Sequence, residues 1–208
     1  MENLILCADL SRSIKEAAQQ ETVIEGKCYK EEILEEISGK GVVFSNVSFQ
    51  NCRFLSCDFA TTTFETVEFI NCDLSNCVFV DSYWKKAEIS RCKAQGAKFS
   101  DAVIKNIKIT ASNFDYSNFC KTSIENTQIE ETTFTSAFIS ETKMKKVVFD
   151  KNKFDSTDFF KTSLKGIDFS TCEIQNLLMS DDLREIKGAK MNLFQAAEMA
   201  KMLGIILV

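Results

Sequence analysis

The sequence contains no proline and no histidine among its 208 residues. Without histidine, the chain lacks the side chain that most often transfers protons near neutral pH and most often ligates metals. It also has no GxGxxG, Walker, GxSxG or HExxH motif. Its carboxylates are numerous but spread out, as on any solvated surface. The sequence therefore predicts no catalytic residues, no cofactor, no metal site and no small-molecule substrate.

Long apolar runs are absent too. No stretch reaches the roughly 18 apolar residues that a transmembrane helix needs. Residues 1–10 include a short apolar patch but no basic leader and no convincing cleavage site, so we expect no secretory signal. Free thiols persist best in a reducing compartment, and the chain has nine cysteines. We expect a cytoplasmic protein without membrane contact.

What the sequence does contain is an apolar residue at every fifth position from Phe44 to Met179. These are 28 consecutive positions, and 15 of them are phenylalanine, although the whole chain has only 18. Helices and strands have apolar periods of 3.6 and 2, so neither explains a period of five. A fixed period sustained over this length predicts a repeat architecture.

A second ladder, of small residues, lies two positions before each apolar centre, and Asn152 is its one plainly polar member larger than threonine. The other three positions of each unit carry most of the charge. Fixing five residues costs about 5–10 kcal/mol, more than burying one Phe and one small side chain returns, so the units must stack. Trp84 and Ala94 depart most in size from the other centres, which predicts a distorted coil and a small void or bulge.

Six of the nine cysteines occupy the small inward position. Because their separations are multiples of five, we interpret them as small apolar side chains. The alternative is that Cys52, Cys72 and Cys92, on the same side of successive coils, bind a soft metal, but no CxxC pair supports it. The six are Cys52, Cys57, Cys72, Cys77, Cys92 and Cys172.

This pattern resembles the pentapeptide repeat proteins, whose units read roughly Ala-(Asp/Asn)-Leu/Phe-x-x. The resemblance implies an all-β fold, a right-handed quadrilateral β-helix with four units in each square coil. The 28 uninterrupted units would then make about seven coils with no inserted loops. We expect an N-terminal cap segment over residues 1–43, the β-helix over 44–181, and a C-terminal α-helix and tail over 182–208.

Both flanking segments carry helix signals. Ser11 or Ser13 is predicted to cap a short N-terminal helix, and Asn192 or Asn176 is predicted to cap a C-terminal one that ends at Gly204. The C-terminal helix has an apolar stripe of Leu193, Ala196, Ala197, Ala200 and Leu203, and the apolar tail of residues 205–208 follows it.

One rod end is too small to bury both the stripe and the tail, so we expect a homodimer with a two-fold isologous interface. The predicted interface residues are Leu193, Phe194, Ala197, Met199, Met202, Leu203, Ile205 and Ile206.

Counting in twenties assigns the charged residues to faces of the coil. Face A, around residues 84, 104, 144 and 164, is basic. Face B, around 69, 89, 129, 149 and 169, and face D, around 59, 79, 99, 139, 159 and 179, carry many acids. The lysines of face A are Lys85, Lys86, Lys105, Lys143, Lys145, Lys146 and Lys165. Direct nucleic-acid binding through these lysines is one alternative, and such binding would weaken steeply with salt.

Four segments are similar to the quinolone-resistance (Qnr-type) branch of the family. They are Phe69-Ile-Asn-Cys-Asp-Leu74, Ile89-Ser-Arg-Cys-Lys-Ala-Gln-Gly-Ala-Lys-Phe99, Gly188-Ala-Lys-Met191 and Gln195-Ala-Ala-Glu-Met-Ala-Lys-Met-Leu-Gly-Ile205. The resemblance implies a cytoplasmic dimer, joined through its C-terminal ends, that binds DNA gyrase and topoisomerase IV by DNA mimicry and protects them from fluoroquinolones. Because the repeat has no loops, this chain resembles the loopless members, in which inhibition is better supported than protection.

In a DNA mimic of this kind, carboxylates stand where phosphates would be. The acids predicted to contact the partner are Glu68, Glu88, Glu130, Glu131, Asp150, Asp158, Asp168 and Asp181. Residues 150–185 carry eight acids, Glu185 included, against five bases, which places negative charge near the expected dimer centre. The alternative function is that of a pentapeptide-repeat scaffold for a different protein partner, again without direct contact to nucleic acid.

Overall fold

The protein is a parallel β-solenoid of about nine turns, seen in a computed structural model that describes residues 4–206. The helices are α1 (Leu10–Gln20) and α2 (Leu193–Met202), with a 3-10 helix at Arg184–Ile186. The strands are β1 (Ile5–Cys7), β2 (Val23–Glu25), β3 (Lys27–Lys30), β4 (Ile33–Glu35), β5 (Val43–Gln50), β6 (Arg53–Leu55), β7 (Thr63–Ile70), β8 (Tyr83–Lys85), β9 (Glu88–Ser90), β10 (Val103–Lys105), β11 (Lys108–Thr110), β12 (Ser123–Glu130), β13 (Lys143–Asp150), β14 (Lys153–Asp155) and β15 (Glu173–Gln175). Within residues 4–206, no helix is long and apolar enough to cross a membrane.

Successive coils pair in parallel at an offset of twenty residues. Phe44 is the partner of Phe64, Phe64 of Trp84, and Ile124 of Met144. The centres point inward and their rings stack, as Phe99 and Phe119 do with centroids 4.8 Å apart. The predicted square coil of four units is therefore confirmed. The fourth face, face C, lies around residues 34, 54, 74, 94, 114, 134, 154 and 174.

The corners between faces have a left-handed backbone. Every fifth residue from Asn46 to Gly166 has a positive φ, and nearly all of them are not glycine. This conformation costs most residues about 1–2 kcal/mol, and asparagine tolerates it best. Two pairs of corner asparagines also bond across coils: Asn71 donates to Asn51 at 2.8 Å and Asn126 donates to Asn106 at 3.2 Å.

The small inward side chains satisfy backbone groups of neighbouring coils. The Thr122 hydroxyl donates to the Phe99 carbonyl at 2.8 Å. In the cysteine column, the Cys72 N–H donates to Cys92 Sγ at 3.3 Å, and the Cys92 N–H donates to the Ser112 hydroxyl at 3.0 Å. All nine cysteines are free, and burial raises the pKa of the Cys172 thiol. Within the described residues, no three metal-ligating side chains are grouped to hold an ion, so the geometry gives the soft-metal alternative no support.

The two centres of unusual size disturb the coil less than expected. Trp84 is buried, stacks on Phe64 with centroids 4.1 Å apart, and donates its ring N–H to the Ser82 hydroxyl at 2.8 Å. Its strand keeps its register with the coils on both sides. Ala94 is fully buried. A cavity of ≈ 20 Å³ lies further along, beside Ile124.

At the N-terminus the solenoid starts about twenty residues earlier than the expected boundary at 44. Val23–Glu25 pairs with the coil that follows it, and Tyr29 and Leu34 pair with Phe49 and Phe54. This first coil raises the coil count above the expected seven. The end is covered by α1, which buries Leu10, Ile14 and Ala17. Neither Ser11 nor Ser13 caps α1: the cap is Asp9, whose side chain accepts the Arg12 N–H at 2.9 Å.

At the C-terminus, α2 closes the last coil. Asn192 is its N-cap, as predicted, and forms a capping box with Gln195. The Gln195 amide reaches into the coil and donates to the carbonyls of Phe169 and Cys172, each at 2.7 Å. Leu207 and Val208, the end of the predicted apolar tail, lie outside the described residues.

Candidate functional site

Face B brings five of the predicted acids into two clusters. Glu68 and Glu88 are direct partners on adjacent coils. Further along, Glu130 and Asp150 are direct partners, and Glu131 lies at the adjoining corner. Neighbouring strands are about 4.8 Å apart, so the acids of each cluster are neighbours on the same coil or on adjacent coils.

The two clusters are separated by residues that do not extend the charge. Lys108 is the strand neighbour of Glu88 on the next coil, and Gln128 is the strand neighbour of Lys108 on the coil after that. Lys151 reaches Glu131 at 3.4 Å in an exposed ion pair. Face B is therefore not a continuous row of carboxylates; its acids are grouped at two places along the rod.

The remaining predicted acids are more scattered. On face D, the Asp158 carboxylate accepts the Ser140 hydroxyl at 2.7 Å and the Phe160 N–H at 2.7 Å. Asp181 is exposed in the turn after the last regular coil. On face B, Asp168 accepts the Ser170 N–H at 2.9 Å, and hydrogen bonding from the side chain and the backbone of Ser170 lowers the pKa of Asp168. Asp158 and Asp181 therefore lie off face B, while Asp168 lies on face B one coil beyond Asp150.

Face A is less basic than its lysines suggest, because two glutamates of the same face neutralise part of their charge. Lys85 pairs with Glu65 at 2.6 Å and Lys145 pairs with Glu125 at 2.7 Å. In each case the hydrogen bond to lysine lowers the pKa of the glutamate. Both acids stand twenty residues before their lysines, so the period of five is a sufficient signal to find them, although the count of lysines alone misses them. Pairing leaves the nucleic-acid alternative with fewer free charges.

The C-terminal end exposes most of the side chains predicted to form a dimer interface. Phe194 is 83% exposed and Ile206 is 87% exposed, and Leu193, Met202, Leu203 and Ile205 are exposed as well. Ala197 is half-buried, beside a groove of ≈ 440 Å³ between α2 and β15. Such a concentration of apolar surface on one end is typical of a protein contact.

The structure contradicts the prediction that Met199 belongs to the dimer interface. Its side chain is buried against the core of its own chain, so it is not available to a partner. The inward side of α2 is formed by Gln195 and Met199 rather than by the predicted stripe, and Ala196 of that stripe is exposed. The helix turns its polar Gln195 inward because that amide satisfies two carbonyls of the final coil.

The structure also contradicts the expectation that Glu185 adds to the surface charge near the dimer centre. It is one of the eight acids expected near the dimer centre, but its side chain is only 2% exposed. Its carboxylate accepts the Ser180 hydroxyl at 2.6 Å and the Lys161 N–H at 2.9 Å. Burial alone would raise the pKa of Glu185, but these and further hydrogen bonds outweigh burial and hold the pKa below its usual range. Glu185 is a structural group of the last coil.

Comparison with known proteins agrees with this architecture. Residues 42–119 match the family model described as a pentapeptide repeat region. No curated protein sequence is significantly similar to the chain. A trypsin-treated structure of QnrB1, a plasmid-mediated fluoroquinolone resistance protein, matches with a TM-score of 0.59 and 22% identity, covering 90% of this chain and 100% of that chain.

Two further structures are less similar. Full-length QnrB1 has a TM-score of 0.43 and 19% identity, covering 88% of this chain and 99% of that one. A pentapeptide repeat protein of the Arabidopsis thaliana thylakoid lumen has a TM-score of 0.36 and 22% identity, over 47% of this chain and 65% of that one. The match at 0.59 supports a common fold. Residues 42–119 thus match the pentapeptide repeat model, and the solenoid as a whole has the fold of QnrB1.

Proposed function

We propose that this chain is a non-enzymatic, cytoplasmic DNA mimic that binds a type II topoisomerase, DNA gyrase or topoisomerase IV. The observation that carries the proposal is the grouping of acids on one face of a rod. Glu130, Asp150 and Glu131 form one cluster and Glu68 and Glu88 form the other. A DNA-binding saddle is basic, and the electrostatic attraction that steers it to phosphates also acts on such clusters.

The dimensions of the rod agree with this role. About nine coils spaced by about 4.8 Å give a rod roughly 40–45 Å long. Two rods joined through α2 would therefore present roughly 80–90 Å of continuous surface. The exposed apolar side chains around Phe194 and Ile206 are what a two-fold contact at this end would bury.

The unbroken repeat bears on whether the chain inhibits the topoisomerase or protects it from fluoroquinolones. The coils from Phe44 to Met179 contain no inserted loop, so the chain is like the loopless members of the branch that it resembles. Inhibition of the topoisomerase is then the expected activity, with any protection from fluoroquinolones secondary. The fold likeness to QnrB1 supports the architecture on which this proposal depends.

A supercoiling assay with purified DNA gyrase tests the proposal. The full chain is titrated into the reaction with and without ciprofloxacin. We expect supercoiling to be inhibited at high protein concentration in the absence of drug, and the drug arm measures any protection. A parallel decatenation assay with topoisomerase IV distinguishes the two enzymes. Absence of any effect on either enzyme, with or without drug, would overturn the proposal and favour a scaffold for a different protein.

A further inference from the structure

Four successive coils each expose one large apolar side chain along face D. These side chains are 41% to 61% exposed, and we call the row that they form the face D stripe. Between Phe44 and Met179 only one other large apolar side chain, Val148 of face B, is exposed to this degree. Exposed apolar surface on the coils is therefore concentrated in one row. The stripe consists of Tyr116, Phe138, Phe160 and Leu178.

The repeat fixes the spacing of the face D stripe. Phe138 and Leu178 lie on either side of Asp158 in one column of parallel bridges, and Phe160 lies two residues beyond Asp158 on the same coil. Tyr116 lies at a left-handed corner of the first of the four coils. Because coils are about 4.8 Å apart, the stripe advances by one coil at each step and spans roughly 14–15 Å along the rod.

An α-helix has nearly the same repeat distance as the face D stripe. Its pitch is about 5.4 Å, and apolar residues at i, i+4, i+7 and i+11 lie on one side of it over roughly 16 Å. A helix that runs along the rod therefore places one apolar side chain against each coil, with a mismatch of roughly 0.6 Å per turn. Side chains on one face of an extended strand are roughly 6.6 Å apart, which fits the spacing of the coils less well.

A carboxylate lies at the centre of the face D stripe. Asp158 accepts the Ser140 hydroxyl and the Phe160 N–H, each at 2.7 Å, which uses about half of the roughly four acceptor positions of a carboxylate. Among the described residues, no lysine or arginine forms an ion pair with it. Apolar side chains that covered the stripe would also bury this charge, which is costly without a partner. A binding partner must therefore supply a lysine or arginine opposite Asp158.

The border between the stripe and face A is also suited to a basic segment. Glu141 and Asp181 are exposed there, on the corners to either side of Lys161. The Lys161 ammonium lies 5.0 Å from the centroid of the Phe160 ring and is in no ion pair with a described residue. A cleft of ≈ 380 Å³ opens beside Phe160, and Met179 and Asp181 are among the residues that line it. The cleft therefore offers both an apolar wall and a carboxylate.

We infer that the face D stripe is a docking site for an amphipathic α-helix of a partner protein. The helix lies along the rod, with one apolar residue per turn against the stripe and a lysine or arginine opposite Asp158. Aromatic side chains are enriched in protein interfaces, and amphipathic helices commonly bind through one apolar face. The site uses none of the acids in the two clusters of face B, so it stands or falls independently of the proposed function.

Binding of a designed peptide to the full chain tests this inference. The probe is an end-blocked, fluorescent peptide of about 15 residues of leucine, lysine and alanine, with one leucine per helical turn. We expect saturable binding by fluorescence anisotropy at physiological salt, and circular dichroism should show that the peptide gains helix when it binds. A scrambled peptide of the same composition, with its leucines spread around the helix, should bind at least about tenfold more weakly. Equal binding of the two peptides, or no binding of either, would overturn the inference.

Paired substitutions locate the site. Phe138→Asn with Phe160→Ser removes two rings of the stripe and should weaken binding of the peptide by about tenfold or more. The matched control, Val148→Gln with Ile33→Thr, removes two exposed apolar side chains from faces B and C and should alter binding by less than about twofold. All four replacements occur at the same position of another coil, so the fold should tolerate them. Equal losses in both variants would place the peptide elsewhere and contradict the inference.

The central carboxylate has a matched control of its own. Asp158→Asn removes the charge from the stripe and should weaken binding of the peptide by about fivefold or more. Asp73 accepts the Ser75 N–H at 3.0 Å, as Asp158 accepts the Phe160 N–H, but it lies on face C. Asp73→Asn should therefore leave binding within about twofold of wild type. If Asp158→Asn bound the peptide as tightly as wild type, no basic residue would lie opposite Asp158 and the inferred arrangement would be wrong.

Light scattering distinguishes a partner helix from a second copy of this chain. The Phe138→Asn with Phe160→Ser variant should have the same mass in solution as wild type, because the stripe is inferred to bind another protein. If the variant lost an association that wild type shows, the stripe would be a contact between copies of this chain, and the inference would be overturned.

Discussion

The side-chain oxygen of Asn152 accepts the backbone N–H of Thr132 at 2.9 Å, and the side-chain amide donates to the Ile129 carbonyl at 2.8 Å. Asn152 is fully buried in the column of small inward residues that also contains Cys92, Ser112 and Cys172. Its polarity, which sets it apart in the sequence, is therefore matched by backbone partners on the preceding coil.

We expect Asn152→Ala to reduce the free energy of unfolding by about 1–3 kcal/mol, because it leaves buried backbone groups without partners. Asn152→Thr should cost less, since Thr132 and Thr157 show that a hydroxyl serves at this kind of position. Urea denaturation followed by circular dichroism measures both. Equal losses for the two variants would indicate that side-chain volume, and not hydrogen bonding, determines the residue here.

The corner at Thr66 offers a stabilising change. Thr66 has φ 54, a left-handed conformation that a β-branched residue rarely adopts. Thr66→Asn should raise the free energy of unfolding by about 1 kcal/mol, or the melting temperature by about 2–4 °C, since asparagine tolerates this region. The new side chain would also lie one coil above Asn46, in the arrangement of Asn71 above Asn51.

Thr63→Asn is the control for that substitution. Thr63 belongs to β7, where the backbone is extended and asparagine is unfavourable. A thermal melt should show Thr63→Asn to be neutral or destabilising. If both substitutions raised the melting temperature, relief of corner strain would not be the reason.

Glu185 makes the free energy of unfolding depend on pH. Its pKa is lowered in the folded state, so it contributes stability above its unfolded pKa of about 4.3, and that contribution is lost as pH falls through the lower folded pKa. Glu185→Gln places an amide donor beside the Lys161 and Ser180 N–H groups and should cost about 1–3 kcal/mol at pH 7.

The difference in unfolding free energy between wild type and Glu185→Gln should therefore shrink between pH 5 and pH 3. Denaturant titrations at several pH values measure it, and using the difference cancels the effect of the other carboxylates. A constant difference over this range would mean that the Glu185 carboxylate is protonated or poorly bonded at neutral pH.

The core could be predicted from the sequence, whereas the left-handed backbone of the corners and the loss of strand pairing beside β13 could not. Inward positions such as Phe99 and Phe119 can be recognised in the sequence, because burial requires an apolar side chain at every fifth position. Asparagine is the commonest residue at the left-handed corners, but Ser, Thr, Lys and Glu also occur there, since stacking of whole coils imposes the backbone on them. Among the described residues, no backbone hydrogen bond joins β13 to the next coil, residues 163–170. Leu164 and Phe169 of that coil keep the period of five and are buried, so the sequence carries no sign of the lost pairing.

Ion pairs on the surface can be predicted from the sequence in part. Glu65 and Lys85 occur at an offset of twenty, so the period of the repeat is enough to place them side by side on adjacent coils. In contrast, Met199 and Glu185 lie beyond the regular repeat, where side-chain direction depends on how α2 and the 3-10 helix fold over the last coil. Sequence period is informative only inside the solenoid.

The proposed dimer depends on the exposed apolar end of the chain. Phe194→Asp with Met202→Asp should convert the dimer to a monomer, because charges would be buried at a two-fold contact. Light scattering coupled to size-exclusion chromatography measures the mass. Tyr116→Asp with Phe138→Asp, which places the same charges on exposed aromatic positions far from α2, should remain dimeric. A dimer that persists in the first variant would place the interface elsewhere.

The proposed topoisomerase contact depends on the second acidic cluster of face B. Reversing Glu130, Glu131 and Asp150 to lysine should weaken gyrase inhibition by about tenfold or more, because repulsion replaces attraction at a basic saddle. The reversal adds positive charge to exposed or half-buried positions, so the melting temperature should change little. The supercoiling assay at matched protein concentrations measures the inhibition.

Glu31, Glu35 and Glu36 provide the matched control for charge. All three are exposed, lie on the first coil, and give the same change in net charge when reversed to lysine. A contact local to the face B cluster requires that this control retain inhibition close to wild type. If both triple variants lost inhibition equally, only net charge would matter, and a mimic that presents carboxylates at fixed positions would be the wrong model. If neither lost it, the topoisomerase would have to bind another surface of the rod.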